Sequence, residues 1–166
     1  PGSVSEVQEC ASRLGAAVNV EGSDAGPITV VIVDDHDVVA LGLQALLDDE
    51  DDIKVIDSVH TVADAVATAD RLRPDVVLMD YRLPDGTGAE ATRGVRALSP
   101  APSVVMITSV PDRRVLGQAL EAGCCGFVSK NADRSDLVAA IRAAATNESY
   151  FTRDVLKHLV RLRRFD

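Results

Sequence analysis

Tryptophan is absent from this sequence, and three phenylalanines and two tyrosines are its whole aromatic content. A nucleic-acid platform built on base stacking needs more rings than that. Excess positive charge is missing too. The 26 acids and 17 bases leave −9, which disfavours polyanion binding by the chain as a whole. Cys10, Cys124 and Cys125 are too few for a disulfide framework and point to a reducing compartment. No apolar run approaches the roughly 18–20 residues of a membrane span, and no basic-then-apolar signal peptide is present. The expectation is a cytoplasmic protein with no membrane partner. What is present is ordinary globular composition, 46% hydrophobic and 26% charged over 166 residues, which rules out a disordered or fibrous chain. A chain of this size buries about 68–70% of its unfolded surface, enough for one self-standing core.

Charge divides the chain. Residues 1–27 carry −3, residues 28–147 carry −8 and residues 148–166 carry +2. Pro1-Gly2-Ser3 reads as a cleaved-tag remnant. Residues 21–27 read as a linker. Within 4–18, Val4, Val7, Ala11, Leu14 and Val18 follow 3-4-3-4 spacing, an apolar stripe of barely two heptads. So short a helix is marginal in water, so the expectation is a helix only when packed on a partner chain or on the main domain.

The middle of the chain alternates strand and helix. Ile28–Val33, Val76–Met79 and Val104–Ile107 are continuous apolar runs, as strands buried on both faces of a parallel sheet should be. Ile53–Asp57 is more mixed, as an edge strand would be, and Gly126–Ser129 is short. Helical spacing lies between them. Thr61-x-x-Asp64 and Thr87-x-x-Glu90 are capping-box patterns, and Asp112 and Asp133 are further N-caps. Gly123 ends the helix that Asp112 opens. Five βα units predict an α/β, flavodoxin-like, doubly wound five-stranded parallel sheet of order 2-1-3-4-5 with flanking helices.

The chemistry gathers at the strand ends. Asp34 and Asp35 follow the first strand, Asp80 ends the third, Thr108 ends the fourth and Lys130 follows the fifth. In such a sheet the carboxyl ends share one edge, and ligands bind where the strand order switches, here between strands one and three. Three carboxylates brought together repel, so at least one pKa rises unless a cation is bound. An oxygen-only cluster suits Mg²⁺ rather than zinc. A carboxylate nucleophile, a Mg²⁺, a lysine and a hydroxyl together make a phosphoryl-transfer site.

With these residues assembled, the sequence resembles the receiver domain of bacterial two-component response regulators. The resemblance rests on Val31-Ile32-Val33-Asp34-Asp35-His36, on residues 74–88 around Met79-Asp80-Tyr81-Arg82-Leu83-Pro84, on Ile107-Thr108-Ser109 and on residues 122–130 ending Phe127-Val128-Ser129-Lys130. It covers about 28–147. The Asp34-Asp35-His36 start and Leu41-Gly42-Leu43 are most similar to the NarL/FixJ, LuxR-type branch. The resemblance implies that Asp80 is the phosphoacceptor. It implies that Asp34, Asp35, Asp80 and the backbone carbonyl of Arg82 hold Mg²⁺, with Asp35 the direct ligand and Asp34 acting through water. Thr108 then matches the switch hydroxyl, Phe127 the switch aromatic and Lys130 the phosphate-binding lysine. The implied partners are a sensor histidine kinase, a second copy in a homodimer, and DNA through a C-terminal domain outside this sequence.

Residues 152–164 read as a basic amphipathic helix leading toward that effector domain. Val155, Leu156, Leu159, Val160 and Leu162 supply apolar positions, and Arg153, Lys157, Arg161, Arg163 and Arg164 supply charge. The sequence departs from the family at Asn131, where many receivers have proline, which gives no ground for a cis bond after Lys130. Ala40 stands where this branch often has arginine, and Ser109 leaves room beside Thr108. His36 reads as the residue that opens the first helix rather than as a ligand or base. Cys124-Cys125 reads as packing rather than as a redox pair. Gly86 and Gly88 fit neither phosphate-loop fingerprint and shape the turn after Asp80. Three alternatives are weaker. A haloacid dehalogenase-type phosphohydrolase wants an acid where Arg82 stands. A cobalamin module wants glycine where Val39 stands. A degenerate receiver used only as a scaffold would not keep the whole set.

Overall fold

A computed structural model describes residues 26–109, 112–157 and 160. The N-terminal stripe over 4–18 lies outside the described residues, as does most of 158–166. The elements are β1 (Ile28–Val33), α1 (Asp37–Asp48), β2 (Ile53–Val59), α2 (Val62–Leu72), β3 (Val76–Asp80), β4 (Arg82–Leu83) and β5 (Gly86–Thr87). They continue as α3 (Gly88–Arg96), β6 (Ser103–Thr108), α4 (Arg113–Ala122), β7 (Gly126–Ser129), α5 (Arg134–Ala145) and β8 (Tyr150–Phe151). The main sheet has the order β2-β1-β3-β6-β7-β8 and every pairing in it is parallel. Its first five strands reproduce the expected flavodoxin-like 2-1-3-4-5 order, with the switch at β1 and β3. A sixth strand, β8, adds to the edge by pairing Tyr150 and Phe151 with Gly126 and Phe127. Two residues are too few for any period to betray them in the sequence.

Alternation along the strands splits the core into two layers. Val31, Val33, Val77, Met79, Val104, Met106 and Phe127 face α2, α3 and α4. Val30, Ile32, Val76, Leu78, Val105, Ile107 and Val128 face α1 and α5. The helix signals act as read. The Thr61 hydroxyl accepts from Asp64 N–H, Thr87 and Glu90 form a complete capping box, and Asp112 and Asp133 accept from Val115 and Asp136 N–H. Gly123 closes α4 in the left-handed region at φ +106. Residues 153–157 begin the expected C-terminal helix. Val155 there is fully buried in the α2/α3/α4 layer, so this segment starts by docking on the domain. Among the described residues no helix is long and apolar enough to cross a membrane.

The foot of α1 runs into Asp48-Asp49-Glu50-Asp51-Asp52, an acidic run at the end of a helix that prefers positive charge. Two arginines of α5 answer it. Arg142 donates to both oxygens of Asp52 at 2.9 Å and to Glu50 at 3.0 Å, and Arg134 donates to Asp49 at 2.6 Å. The Arg142 hydrogen bonds hold the Asp52 carboxyl below the usual carboxylate range. A depressed carboxylate pKa gives stability that is present above the unfolded pKa and lost as pH falls through the folded one. Arg142→Ala should therefore cost about 0.5–1 kcal/mol in urea unfolding at neutral pH, a half-exposed pair being worth no more. The difference from wild type should shrink in acid and in high salt.

Gly88 opens α3 under the strand that carries Asp80. A Cβ on it would stand 2.4 Å from the Asp80 carbonyl oxygen and 2.9 Å from the Met106 sulfur. Gly88→Ala must push the end of β3 aside. It should lower stability by about 1–3 kcal/mol, measured by chemical unfolding.

Candidate functional site

Strand register brings the acids together. β1 and β3 pair Val33 with Met79, so the residues that follow, Asp34 and Asp80, end adjacent strands side by side. β6 pairs Ile107 with Asp80, so Thr108 projects one residue beyond. β7 pairs Ser129 with Thr108, and the next amide, Lys130 N–H, donates to the Thr108 carbonyl at 2.8 Å. Residues up to 96 positions apart thus meet at one edge, as the strand-end reading requires.

Asp34 and Asp80 are buried, 2% and 6% exposed, whereas Asp35 is exposed. The Lys130 ammonium sits between the two buried acids, 3.2 Å from Asp34 Oδ2 and 3.3 Å from Asp80 Oδ2. Burial, reinforced by the Asp34 charge, pushes the Asp80 carboxyl above the ordinary carboxylate range against the pull of Lys130. Oxygens of Asp34, Asp35 and Asp80 and a ring nitrogen of His36 all lie within 4.8 Å of one another, a set able to hold a metal ion. Three hard oxygens fit a hard divalent cation.

His36 stands where the sequence reading put it, at the head of the first helix. It does open α1, as its N-cap, but without a side-chain cap bond. Its Nδ1 points instead into the acids, 3.1 Å from Asp34, 3.0 Å from Asp35 and 4.0 Å from Asp80. Its backbone N–H also donates to Asp34 Oδ1, at 2.8 Å. Adjacency to the acid pair was the available signal.

A cavity of about 230 Å³ opens over Asp80, lined by His36, Tyr81, Arg82, Thr108, Ser109, Val115 and Lys130. Arg82 and Thr108 both line this cavity. Phe127 does not line it. It is fully buried in β7, within the α2/α3/α4 layer. The bond after Lys130 is trans, since the cis peptide among the described residues is Ser99–Pro100. Two further residues escaped the sequence reading. The Tyr81 hydroxyl donates to Gln118 on α4. Asp85 accepts from the Val62 and Ala63 amides at 2.7 and 3.2 Å, tying the β4–β5 turn to the start of α2. Cys124 stays a packing residue, its thiol pushed up to about 12 by burial.

Comparison with known proteins agrees. The family described as response regulator receiver domain matches residues 30–142. Response regulator protein VraR of Staphylococcus saprophyticus is 38% identical over 130 residues, covering 78% of this chain and 62% of that protein. Its counterpart in Staphylococcus aureus is 34% identical over 129 residues, with the same coverage. This chain thus spans less than two thirds of the length of those relatives. Among solved structures, a LuxR-family two-component response regulator from Aurantimonas sp. SI85-9A1 superposes with a TM-score of 0.78 at 28% identity, covering 84% of this chain and 99% of that one. The response regulator domain of Thermotoga maritima CheB gives 0.67 at 27% identity, over 72% and 97%. The family match runs through all the strands that carry site residues, and the chain belongs to the response regulator receiver domain family.

Proposed function

We propose that Asp80 accepts a phosphoryl group from the phosphohistidine of a sensor histidine kinase, with Mg²⁺ held by Asp34, Asp35, Asp80 and the Arg82 carbonyl. The observation that carries this reading is the Lys130 ammonium poised between Asp34 and Asp80, with the Thr108 residue lining the same cavity. An Asp80 oxygen forms the new P–O bond while the P–N bond to the donor imidazole breaks, and the imidazole leaves with its electron pair. Bound Mg²⁺ supplies charge neutralisation for the acids and for the incoming phosphoryl oxygens. Lys130 holds a phosphate oxygen through its ammonium, and the Thr108 hydroxyl donates to another. Transfer of this kind asks mainly for positioning and neutralised charge.

The phosphate then serves as the signal. Thr108 is drawn toward it, and Phe127 repacks into the space behind. The Tyr81–Gln118 hydrogen bond ties the residue after Asp80 to α4, the surface where a second copy would read the state. Loss of the phosphate is self-hydrolysis, not turnover of an external substrate. Residues 28–147 make the receiver, residues 1–27 an extension, and residues 148–166 a link toward a DNA-binding domain in a longer parent. On this reading the output is transcription control, exerted in the cytoplasm.

Acetyl phosphate with Mg²⁺ should add one phosphoryl mass to the intact protein. Chelator or Asp80→Asn should abolish the addition, and Lys130→Ala should slow it by about 10²–10³-fold, as for removal of one charge-stabilising donor. Equal labelling in chelator or in Asp80→Asn protein would refute the mechanism.

A second outcome follows from the raised Asp80 pKa. A carboxyl whose folded pKa lies above its unfolded value destabilises the metal-free fold wherever it is ionised. Wild-type stability without metal should therefore rise as pH falls through that folded pKa. Asp80→Asn removes this component, so the metal-free variant should lack the gain in stability that wild type shows as pH falls. Urea unfolding in chelator at neutral and mildly acid pH measures both effects.

A further inference from the structure

After α5 the chain crosses the edge of β7. β8 pairs Tyr150 with Gly126 and Phe151 with Phe127, and the Thr152 N–H donates to the Phe127 carbonyl at 3.2 Å. The helix that starts at Arg153 then carries Val155 into the α2/α3/α4 layer, where it is fully buried, as Phe127 is. Phe151 packs against the same layer. The near end is tied to α5, where the Tyr150 hydroxyl donates to Asp136 Oδ1 at 2.6 Å. Gly126 lets the two backbones meet, since a Cβ on it would stand 3.0 Å from the Tyr150 carbonyl oxygen. The hold is nevertheless slight. Of residues 148–157 only Thr152 and Val155 are buried. The buried Thr152 hydroxyl has no hydrogen-bond partner among the described residues, whereas Thr61 and Thr87 use theirs to cap helices. An orphaned buried hydroxyl costs an amount comparable to what burying one valine contributes. Few buried contacts mark a unit that opens locally without unfolding the domain.

We infer that residues 150–157 are an autoinhibitory strap, closed over the β7 edge while Asp80 is unmodified and loosened when Asp80 is phosphorylated. This rests on the reading of Asp80 as the phosphoacceptor and of Phe127 as the residue that repacks behind Thr108. Phe127 links the two events. It lies two residues before Ser129, which pairs with Thr108, and its carbonyl accepts the strap's Thr152 N–H. Its ring belongs to the layer that buries Val155. A repacked Phe127 therefore withdraws packing from Val155 and moves the carbonyl that Thr152 bonds, both in one step. Packed layers switch between discrete arrangements rather than deform, so a contact held this weakly gives way first. Closed, the strap occupies backbone groups of β7 that an edge strand otherwise offers to another chain. Loosened, it uncovers that edge while the Tyr150–Asp136 bond keeps its near end in place, so the strap swings about Tyr150.

The test follows backbone amide exchange by NMR in the full chain, with acetyl phosphate and Mg²⁺ as the phosphodonor and intact mass to count phosphoryl groups in each sample. The amides read are Thr152 N–H and Leu156 N–H, which donates to the Thr152 carbonyl at 2.9 Å. In labelled protein both should exchange about tenfold faster than in unlabelled protein, while the amides of β3 keep their protection. Val155→Ala removes the buried side chain of the strap, and Gly126→Ala presses on the Tyr150 carbonyl. Each should speed the same two amides without phosphate and still take up one phosphoryl group. Labelled wild type whose Thr152 and Leu156 amides exchange as before overturns the proposal and leaves the phosphoacceptor reading standing. So do variants that exchange like wild type, and so does acceleration shared equally by β3, since the whole domain then opens. A chain that takes up no phosphoryl group refutes the phosphoacceptor reading, and the strap's switch falls with it.

Discussion

The Lys130 ammonium between the Asp34 and Asp80 carboxylates is the interaction on which the carboxyl edge of this sheet depends. Two buried acids on neighbouring strands would otherwise repel in a setting that desolvates them both. One ammonium does not balance three carboxylates, and the Asp80 pKa stays raised in spite of it. The acid cluster is a set of groups able to hold a metal ion. Lys130 reaches the acids because β6 and β7 run in register from Val105 and Gly126 to Thr108 and Ser129. A slip of one residue anywhere along those strands would turn the site residues to the wrong face.

The two layers that sandwich the sheet are held differently. On the α2/α3/α4 side the loop after Asp80 is anchored by Asp85 to α2, by Gly88 beneath β3 and by Tyr81 to α4. A change at Asp80 has a short, bonded route to that surface. On the α1/α5 side the lower end is clasped by Arg134 and Arg142 against the acidic run, while Val38, Leu41 and Leu46 of α1 are exposed among the described residues.

Much of this could be read along the chain. Thr61, Thr87, Asp112 and Asp133 cap the helices they were expected to cap, because a cap is a local contest between a side chain and the next three amides. The strands were visible as apolar runs because burial on both faces demands them. β2 continues two residues past the expected Asp57, since its pairing with β1 runs on to Val59 opposite Val33. His36 was read by its place at the head of a helix. Only the fold shows its ring turned onto Asp34 and Asp35, because that contact exists only once the acids are placed at the strand end.

The sequence by itself determined the βα alternation, the strand order and the acids, hydroxyl and lysine at the strand ends, because each follows from local periodicity and from the rule that parallel strands share one edge. Tertiary structure alone decided the rest. The short β8 exists only because Gly126 and Phe127 offer it a partner. The Tyr81–Gln118 bond and the Asp85 cap on α2 join residues 37 and 23 positions apart, with no local pattern to announce them. The exposure of α1 was likewise invisible. An apolar helix in sequence reads as a buried one, and only the packed layers show which of its faces is exposed among the described residues.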